Sequence, residues 1–365
     1  MSNTLGILFR LTSFGESHGM AVGGIIDSCP AGVSIDINEI QQQLDRRKPG
    51  QSELTTSRNE EDKVVFLSGI FKGKSLGTPI AFYILNKDQN SKDYTSIESV
   101  YRPSHADYTY ESKYGIRDYR GGGRASARTT ASIVVAGAIA KMLLQHLSSI
   151  NCIAFVSRVG AIAASIDMKK VESKDVYSNE IRCPDSNAAS QMIELIKEVK
   201  SAGDSIGGII SCVIRNVPAG LGEPLFNKLQ ASLASAMLSI NAVHGFEYGA
   251  GFEGASKRGS ELNDAFDLDE NKNVITKTNN SGGIQGGISN GMDIYFNVAF
   301  KPTASIQISQ DSITKDGKLS NVKTEGRHDP CVLPRAVPIV EAMAYLVMAD
   351  MVLLNRSSKI NISLH

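Results

Sequence analysis

Residues 126–147 read SARTTASIVVAGAIAKMLLQHL, and between Ala131 and Leu144 the only charge is Lys141. The run is too long for a strand and apolar on every side, so it reads as a helix buried on most faces, a core element that other layers must cover. Working outward, short β-rich runs stand on both sides of it: 6–12, 22–28, 64–67 and 80–85 before, and 153–159, 209–214 and 294–300 after. Further helices are predicted from Asn38, as a cap, to Arg46 and Arg47, and over 188–201, 224–240 and 338–354. Strands come in runs and helices singly, without the regular alternation of a doubly wound sheet. That order predicts an α+β fold with largely antiparallel sheets.

A weak internal echo accompanies it. Cys29-Pro30-Ala31-Gly32 closes one strand and leads to a helix, and Val217-Pro218-Ala219-Gly220 does the same later. No Pro/Ser linker or charge run separates two halves, so residues 1–365 read as one intertwined domain. The polar stretches 256–281 and 310–326 read as surface loops or hairpins.

Lysine plus arginine equal aspartate plus glutamate at 38 each, so any anion site must be local, and no global field points to nucleic acid or an anionic membrane. The five cysteines form no C-x-x-C pair, which argues against a disulfide framework or a thiolate metal site. No signal stretch and no membrane-spanning window is read in the chain, so a cytoplasmic location is expected.

The segment RPSHADYTYESKYGIRDYRGGGRASAR, 102–128, is dense in arginine and carries three consecutive glycines, Gly121–Gly123, just before the start of the long helix. Glycines let backbone N–H groups approach a ligand, and a helix N-terminus favours an anion, so Arg124, Ser126 and Arg128 stand at a phosphate cradle. The bland alternative is a glycine turn with solvated arginines. Two familiar phosphate motifs fail. Gly69–Ser75 is one residue short of a P-loop and runs into a strand, and Ser126 replaces the last glycine of a dinucleotide fingerprint. His18 in GESHG, His105 in RPSHAD and His328 in GRHDP are candidate proton handlers, against the bland reading of histidines bonded in turns. Asn241-Ala242, the glycines 282–287, Lys301-Pro302-Thr303-Ala304-Ser305 and Gly326–Pro330 add loops suited to a large, deep ligand. A flavin-dependent oxidoreductase and an RNA-binding module stay open on the residues alone.

These segments resemble chorismate synthase, in order and nearly end to end: FGESHG, DRRKPGQS, TPI and NKDQNSKDY, the 102–128 segment, GDSIGG, VPAGLGEP, SINAVHG, SGGIQGGISNG, KPTASI and GRHDPCVLPRAVPIVEAM. The resemblance implies a sandwich of antiparallel sheets enclosing helices, with an internal pseudo-repeat and assembly as a homotetramer. It implies the anti-1,4-elimination of phosphate from 5-enolpyruvylshikimate 3-phosphate, giving chorismate, the last step of the shikimate pathway. Reduced FMN is required although nothing is oxidised overall.

By matching motif, His18 would protonate the leaving phosphate, His105 would sit by the flavin, and Asp329 would take part in proton removal. FMN would be held by Arg124, Ala125, Ser126, Asn241, Ala242, Gly286, Lys301, Pro302, Thr303, Ala304, Ser305 and Arg327. Arg46, Arg47, Arg102 and Arg128 would bind the phosphate and carboxylates of the substrate, whose geometry guanidinium forks match. Ala125 stands where the family usually has serine, Thr129 and Ile133 where many members carry glutamate and arginine, and Glu53 where a basic residue is common. With NADP binding weakened by that last departure, an external flavin reductant is expected.

Overall fold

A computed structural model describes residues 3–55, 60–87, 98–323 and 329–360. In chain order its elements are β1 (Thr4–Leu5), β2 (Arg10–Phe14), β3 (Ala21–Asp27), α1 (Ile37–Arg47), β4 (Val64–Phe66), β5 (Ile70–Phe71), β6 (Lys74–Ser75), β7 (Ile80–Leu85), α2 (Asp107–Tyr114) and α3 (Thr130–Leu147). There follow β8 (Asn151–Val159), β9 (Ile162–Ala163), α4 (Ser173–Val176), α5 (Ser186–Ser201), β10 (Gly208–Arg215), α6 (Leu229–Leu238), β11 (Val243–Tyr248) and α7 (Gly259–Leu262). The last are β12 (Phe266–Leu268), β13 (Val274–Thr276), β14 (Ile284–Gln285), β15 (Ile288–Ser289), β16 (Ile294–Phe300), β17 (Gln310–Ile313), β18 (Leu319–Val322) and α8 (Leu333–Asn355).

One sheet runs β1-β2-β3-β7-β4 and another β11-β16-β10-β8-β9, antiparallel throughout. Helix α3 lies on β2, β3 and β7, α8 lies on β8 and β10, and α1 touches both helices. The result is sheet, helices, sheet, the α+β sandwich predicted above. One cluster of buried apolar side chains runs through it from Phe9 to Leu353.

The internal echo is a structural repeat. Strands β2, β3, β7 and β4 lie in the same order as β8, β10, β16 and β11, and in each set a helix follows the second strand. Ser75 Oγ donates to the Pro30 carbonyl at 2.6 Å and accepts from Val33 N at 2.9 Å. Ser289 Oγ donates to the Pro218 carbonyl at 2.6 Å and accepts from Leu221 N at 2.8 Å. The two serines end matching hairpins, GIFKGKS over 69–75 and GIQGGIS over 283–289. The P-loop-like segment is therefore a hairpin, as its misfit spacing implied, and Gly286 takes the left-handed turn position (φ +62°) that Lys72 takes in the first copy (φ +48°).

Helices α3 and α8 cross at Gly137, where an added Cβ would stand 2.4 Å from Ala342 Cβ and 2.5 Å from its Cα. Backbone lies on both sides, so only separation of the helices makes room. Gly137→Ala is expected to destabilise by about 1–3 kcal/mol in urea unfolding; an unchanged midpoint would mean the crossing is looser than described. Both helices, as Ala127–Leu147 and Leu333–Asn355, are long and apolar enough to cross a membrane, which corrects the expectation that no such window exists. Their apolar surfaces are instead mostly buried inside the protein, 72% and 83% of each window.

Several boundaries move for local reasons. Asp36, not Asn38, caps α1, its carboxylate accepting from Asn38 N and Glu39 N. The first long strand begins at Arg10 because Ile7, Leu8 and Phe9 donate their N–H groups to Asp350 of α8 instead of a neighbouring strand. Helix α6 starts only at Leu229, after Asn227 at φ +58°. Helix α8 starts at Leu333 and carries Pro338 inside its first turns, so that proline does not mark its beginning. Ala127–Thr129 form a tighter 3₁₀ turn before α3, capped by Ser126. The two polar stretches hold the hairpins β12–β13 and β17–β18.

Candidate active site

The pseudo-repeat brings the starts of α3 and α8 to one place, at the end of β16 and beside the last turn of α1. There a cavity of about 410 Å³ opens. Helix N-termini present unpaired N–H groups and positive potential, so the fold itself favours an anion here. Its apolar wall is Ile240, Phe300, Val332 and Ile339.

Opposite stands a paired set of cations. Arg47 is 1% exposed and donates to Asp62 Oδ2 at 2.5 Å, to the Ala127 carbonyl at 3.1 Å and to Thr130 Oγ1 at 3.3 Å. Arg128 takes the other Asp62 oxygen, Asn86 Oδ1 at 2.7 Å and the Leu85 carbonyl at 2.9 Å. Burial works to raise the Asp62 pKa, but the two guanidinium groups outweigh it and hold the carboxyl below its ordinary value. One carboxylate thus serves two arginines, and the pair keeps a net positive charge.

A second hub is Asp107, which accepts from Arg102 Nε at 2.8 Å, Arg102 Nη2 at 2.7 Å and His105 Nδ1 at 3.1 Å. Against the cost of burial, those bonds hold its carboxyl far below the usual carboxylate range. Burial depresses the His105 pKa, Arg102 and Lys301 push the same way, and Asp107 opposes them. Near neutral pH the ring is therefore uncharged. Asp329 is ion-paired with Arg335, whose Nε donates to the Arg47 carbonyl at 3.2 Å.

Of the residues singled out in the sequence, Arg47, Arg102, His105, Ala125, Ser126, Arg128, Asn241, Ala242, Asp329 and the whole run Lys301–Ser305 line this cavity. Four do not. His18 is buried behind Gly121, against which its ring packs. Arg46 stacks over Tyr177, its Cζ 4.0 Å from the ring centre, and faces a separate small cavity with Glu341 and Lys141. Arg124 is tied to Ser13 and the Gly15 carbonyl at 3.1 Å, supporting the wall from outside. Gly286 is the exposed turn residue of an otherwise largely buried hairpin, away from the cavity wall. Arg327 and His328 lie outside the described residues.

The sequence reading missed Arg335, Ser104, Glu60 and Thr130 on the wall and Asp62 and Asp107 behind it. Ala125 turns its backbone to use, the carbonyl accepting from Asn241 Nδ2 at 2.8 Å, so the missing serine hydroxyl leaves that bond intact. Thr129 Oγ1 donates to the Ser126 carbonyl at 2.9 Å and Ile133 packs on the core, each with a local task in place of a charge.

The cavity fits the groups that the motifs implied. Its apolar wall and the ring of hydroxyl, amide and backbone groups at Ser126, Asn241 and Lys301–Ser305 suit a flat heteroaromatic ring with donors and acceptors on its edge, and its cations suit phosphate and carboxylate.

The family model described as chorismate synthase matches residues 9–353. Chorismate synthase of Christiangramia forsetii is 59% identical over 358 residues, 98% of this chain and 99% of that protein. The enzyme of Cytophaga hutchinsonii is 58% identical over 361 residues, 99% of this chain and 100% of that protein. A crystal structure of chorismate synthase superposes with a TM-score of 0.71 at 31% identity, covering 95% of this chain and 92% of that one. With sequence, fold and cavity in agreement, the chain belongs to the chorismate synthase family, lyases of the shikimate pathway that act on a phosphate-bearing substrate.

Proposed function

We propose that the protein, as a single domain, catalyses the anti-1,4-elimination of phosphate from 5-enolpyruvylshikimate 3-phosphate to give chorismate, with reduced FMN held in the same cavity. The observation that carries this reading is the convergence of Arg47, Arg102, Arg128 and Arg335 with His105 and Asp329 around one hollow that also has an apolar wall. Reduced FMN, when bound, supplies an electron that helps phosphate depart and is returned as the hydrogen leaves, so no net oxidation occurs.

The chain's own residues do the rest. The arginines neutralise the substrate's phosphate and carboxylates, and each charge interaction strengthens as the bound ligands displace water from the cavity. Asn241, Ala242, Ser126 and Lys301–Ser305 hold the flavin, with Lys301 placed by its bond to the Ser104 carbonyl at 3.2 Å. Asp329, oriented by Arg335, stands at the α8 side for proton removal. The motif assigns His18 the proton for the leaving phosphate; its ring packs against Gly121, off the cavity wall, so the geometry by itself does not bring this donor to the phosphate. Glu53, which stands where the family commonly carries a basic residue, is paired with Lys197 at 3.5 Å, and its carbonyl accepts from Lys200 Nζ at 2.6 Å; the electrons come from an external flavin reductant. Assembly as a homotetramer in the cytoplasm completes the reading.

Anaerobic incubation with photoreduced FMN and the enolpyruvyl ester tests it. Phosphate and chorismate should appear in equal amounts, without net consumption of reduced flavin. Stoichiometric flavin oxidation without phosphate would overturn it in favour of an oxidoreductase.

A further inference from the structure

Asp107 is 3% exposed and sits at the start of α2, where five groups converge on its carboxylate. They are Arg102 N at 3.0 Å, Arg102 Nε at 2.8 Å and Nη2 at 2.7 Å, Arg117 Nη1 at 2.9 Å and His105 Nδ1 at 3.1 Å. An ionised carboxylate has acceptors only, so the hydrogen in its bond to His105 belongs to Nδ1. The Arg102 fork grips both oxygens and prevents the carboxylate from turning away. An imidazole with one proton, already placed on Nδ1, has a bare lone pair on Nε2.

We infer that Asp107 is a positioning residue that fixes His105 as the Nδ1–H tautomer, so that Nε2 receives a hydrogen bond or proton from an N–H or O–H group of the bound ligand. The inference rests on the elimination reading for the ligand's identity, though not for the tautomer. A proton taken at Nε2 leaves an imidazolium whose charge Asp107 balances, and its return to the ligand restores the neutral ring; no electrons move in this step. Among the described residues, the charged groups named around the ring are Asp107, Arg102 and Lys301. The two cations keep the ring from arriving already protonated, which would turn the acceptor into a donor. Lys301 comes from the end of β16 and Arg102 from the loop before α2, so the setting depends on both halves of the fold.

The test is the ¹⁵N spectrum of the imidazole in the unliganded full-length protein across pH 5.5–8.5, with His105→Gln identifying the signals by their loss. The expected result above the ring's titration is a pyrrole-type Nδ1 and a pyridine-type Nε2. Asp107→Asn should then mix the tautomers, lower kcat by about 100-fold, and move the acid limb of the kcat profile to lower pH, because the anion favouring imidazolium is gone. Mere loosening of Arg102 would raise KM without moving that limb. A pyrrole-type Nε2 in the unmodified protein overturns the inference whatever the turnover. The expected spectrum in a protein that releases no phosphate supports the tautomer lock and overturns the elimination reading instead.

Discussion

Asp62→Ala is expected to lose about 3–5 kcal/mol of folding stability, because it strands two guanidinium groups inside the protein. Arg47 and Arg128 are 1% and 9% exposed at the side chain and both lean on this carboxylate, which is itself fully buried. Among the described residues their remaining hydrogen-bond partners are the Ala127 and Leu85 carbonyls, Thr130 and Asn86, none of which carries charge. Urea unfolding at neutral pH measures the loss, and a change below about 1 kcal/mol, the range of a surface pair, would refute the claim that Asp62 neutralises a buried pair. Acid reports the same contact. The folded pKa is depressed, so the stabilisation is present above the unfolded carboxylate value of about 3.9 and is lost as pH falls through the folded value. In Asp62→Ala that part of the acid dependence should disappear.

The contrast between Arg46 and Arg47 shows what the sequence could and could not tell. Both are assigned to the substrate by the DRRKPGQS motif, which does not distinguish one arginine from the other. Yet Ile40, Leu44 and Arg47 follow the spacing of one helix face and are the buried residues of α1, so the period places Arg47 inward and turns Arg46 some 100° away. That signal was present and unused. The core of α3 was legible because its apolar pattern is local. Its true start was not, since residues 126–129 take their form beside Asn241, whose amide holds the Ala125 carbonyl from more than a hundred residues away. Asp62 had no local signature at all, as only folding brings it between α1 and the turn before α3. Arg335 was hidden by a proline: reading Pro338 as a helix start left the first turn of α8, and the cation it places on the cavity, in a loop. Of the internal repeat, the Pro-Ala-Gly turns were seen and the hairpins that lock them were not, because two-residue strands leave no period to detect.

His105→Ala is expected to lower kcat for phosphate release by about 10²–10⁴-fold, the range that a positioned proton-transfer group supplies, while oxidised FMN still binds. The separation follows from the architecture. The imidazole reaches the cavity from the loop before α2, whereas the flavin-binding groups proposed here come from Ser126, Asn241, Ala242 and the run after β16. Truncation leaves Asp107 paired to Arg102 and Arg117, so the loop keeps its charged anchor and the cavity its shape. Burial keeps the wild-type ring neutral near pH 7, and its activity should fall as pH drops through the depressed imidazole pKa. In the variant any residual turnover should be flat across that range. Anaerobic single-turnover phosphate release gives the rate, and titration of flavin fluorescence gives the affinity. Wild-type turnover in His105→Ala would remove the imidazole from the chemistry, and a joint collapse of turnover and flavin affinity would make it a binding group instead.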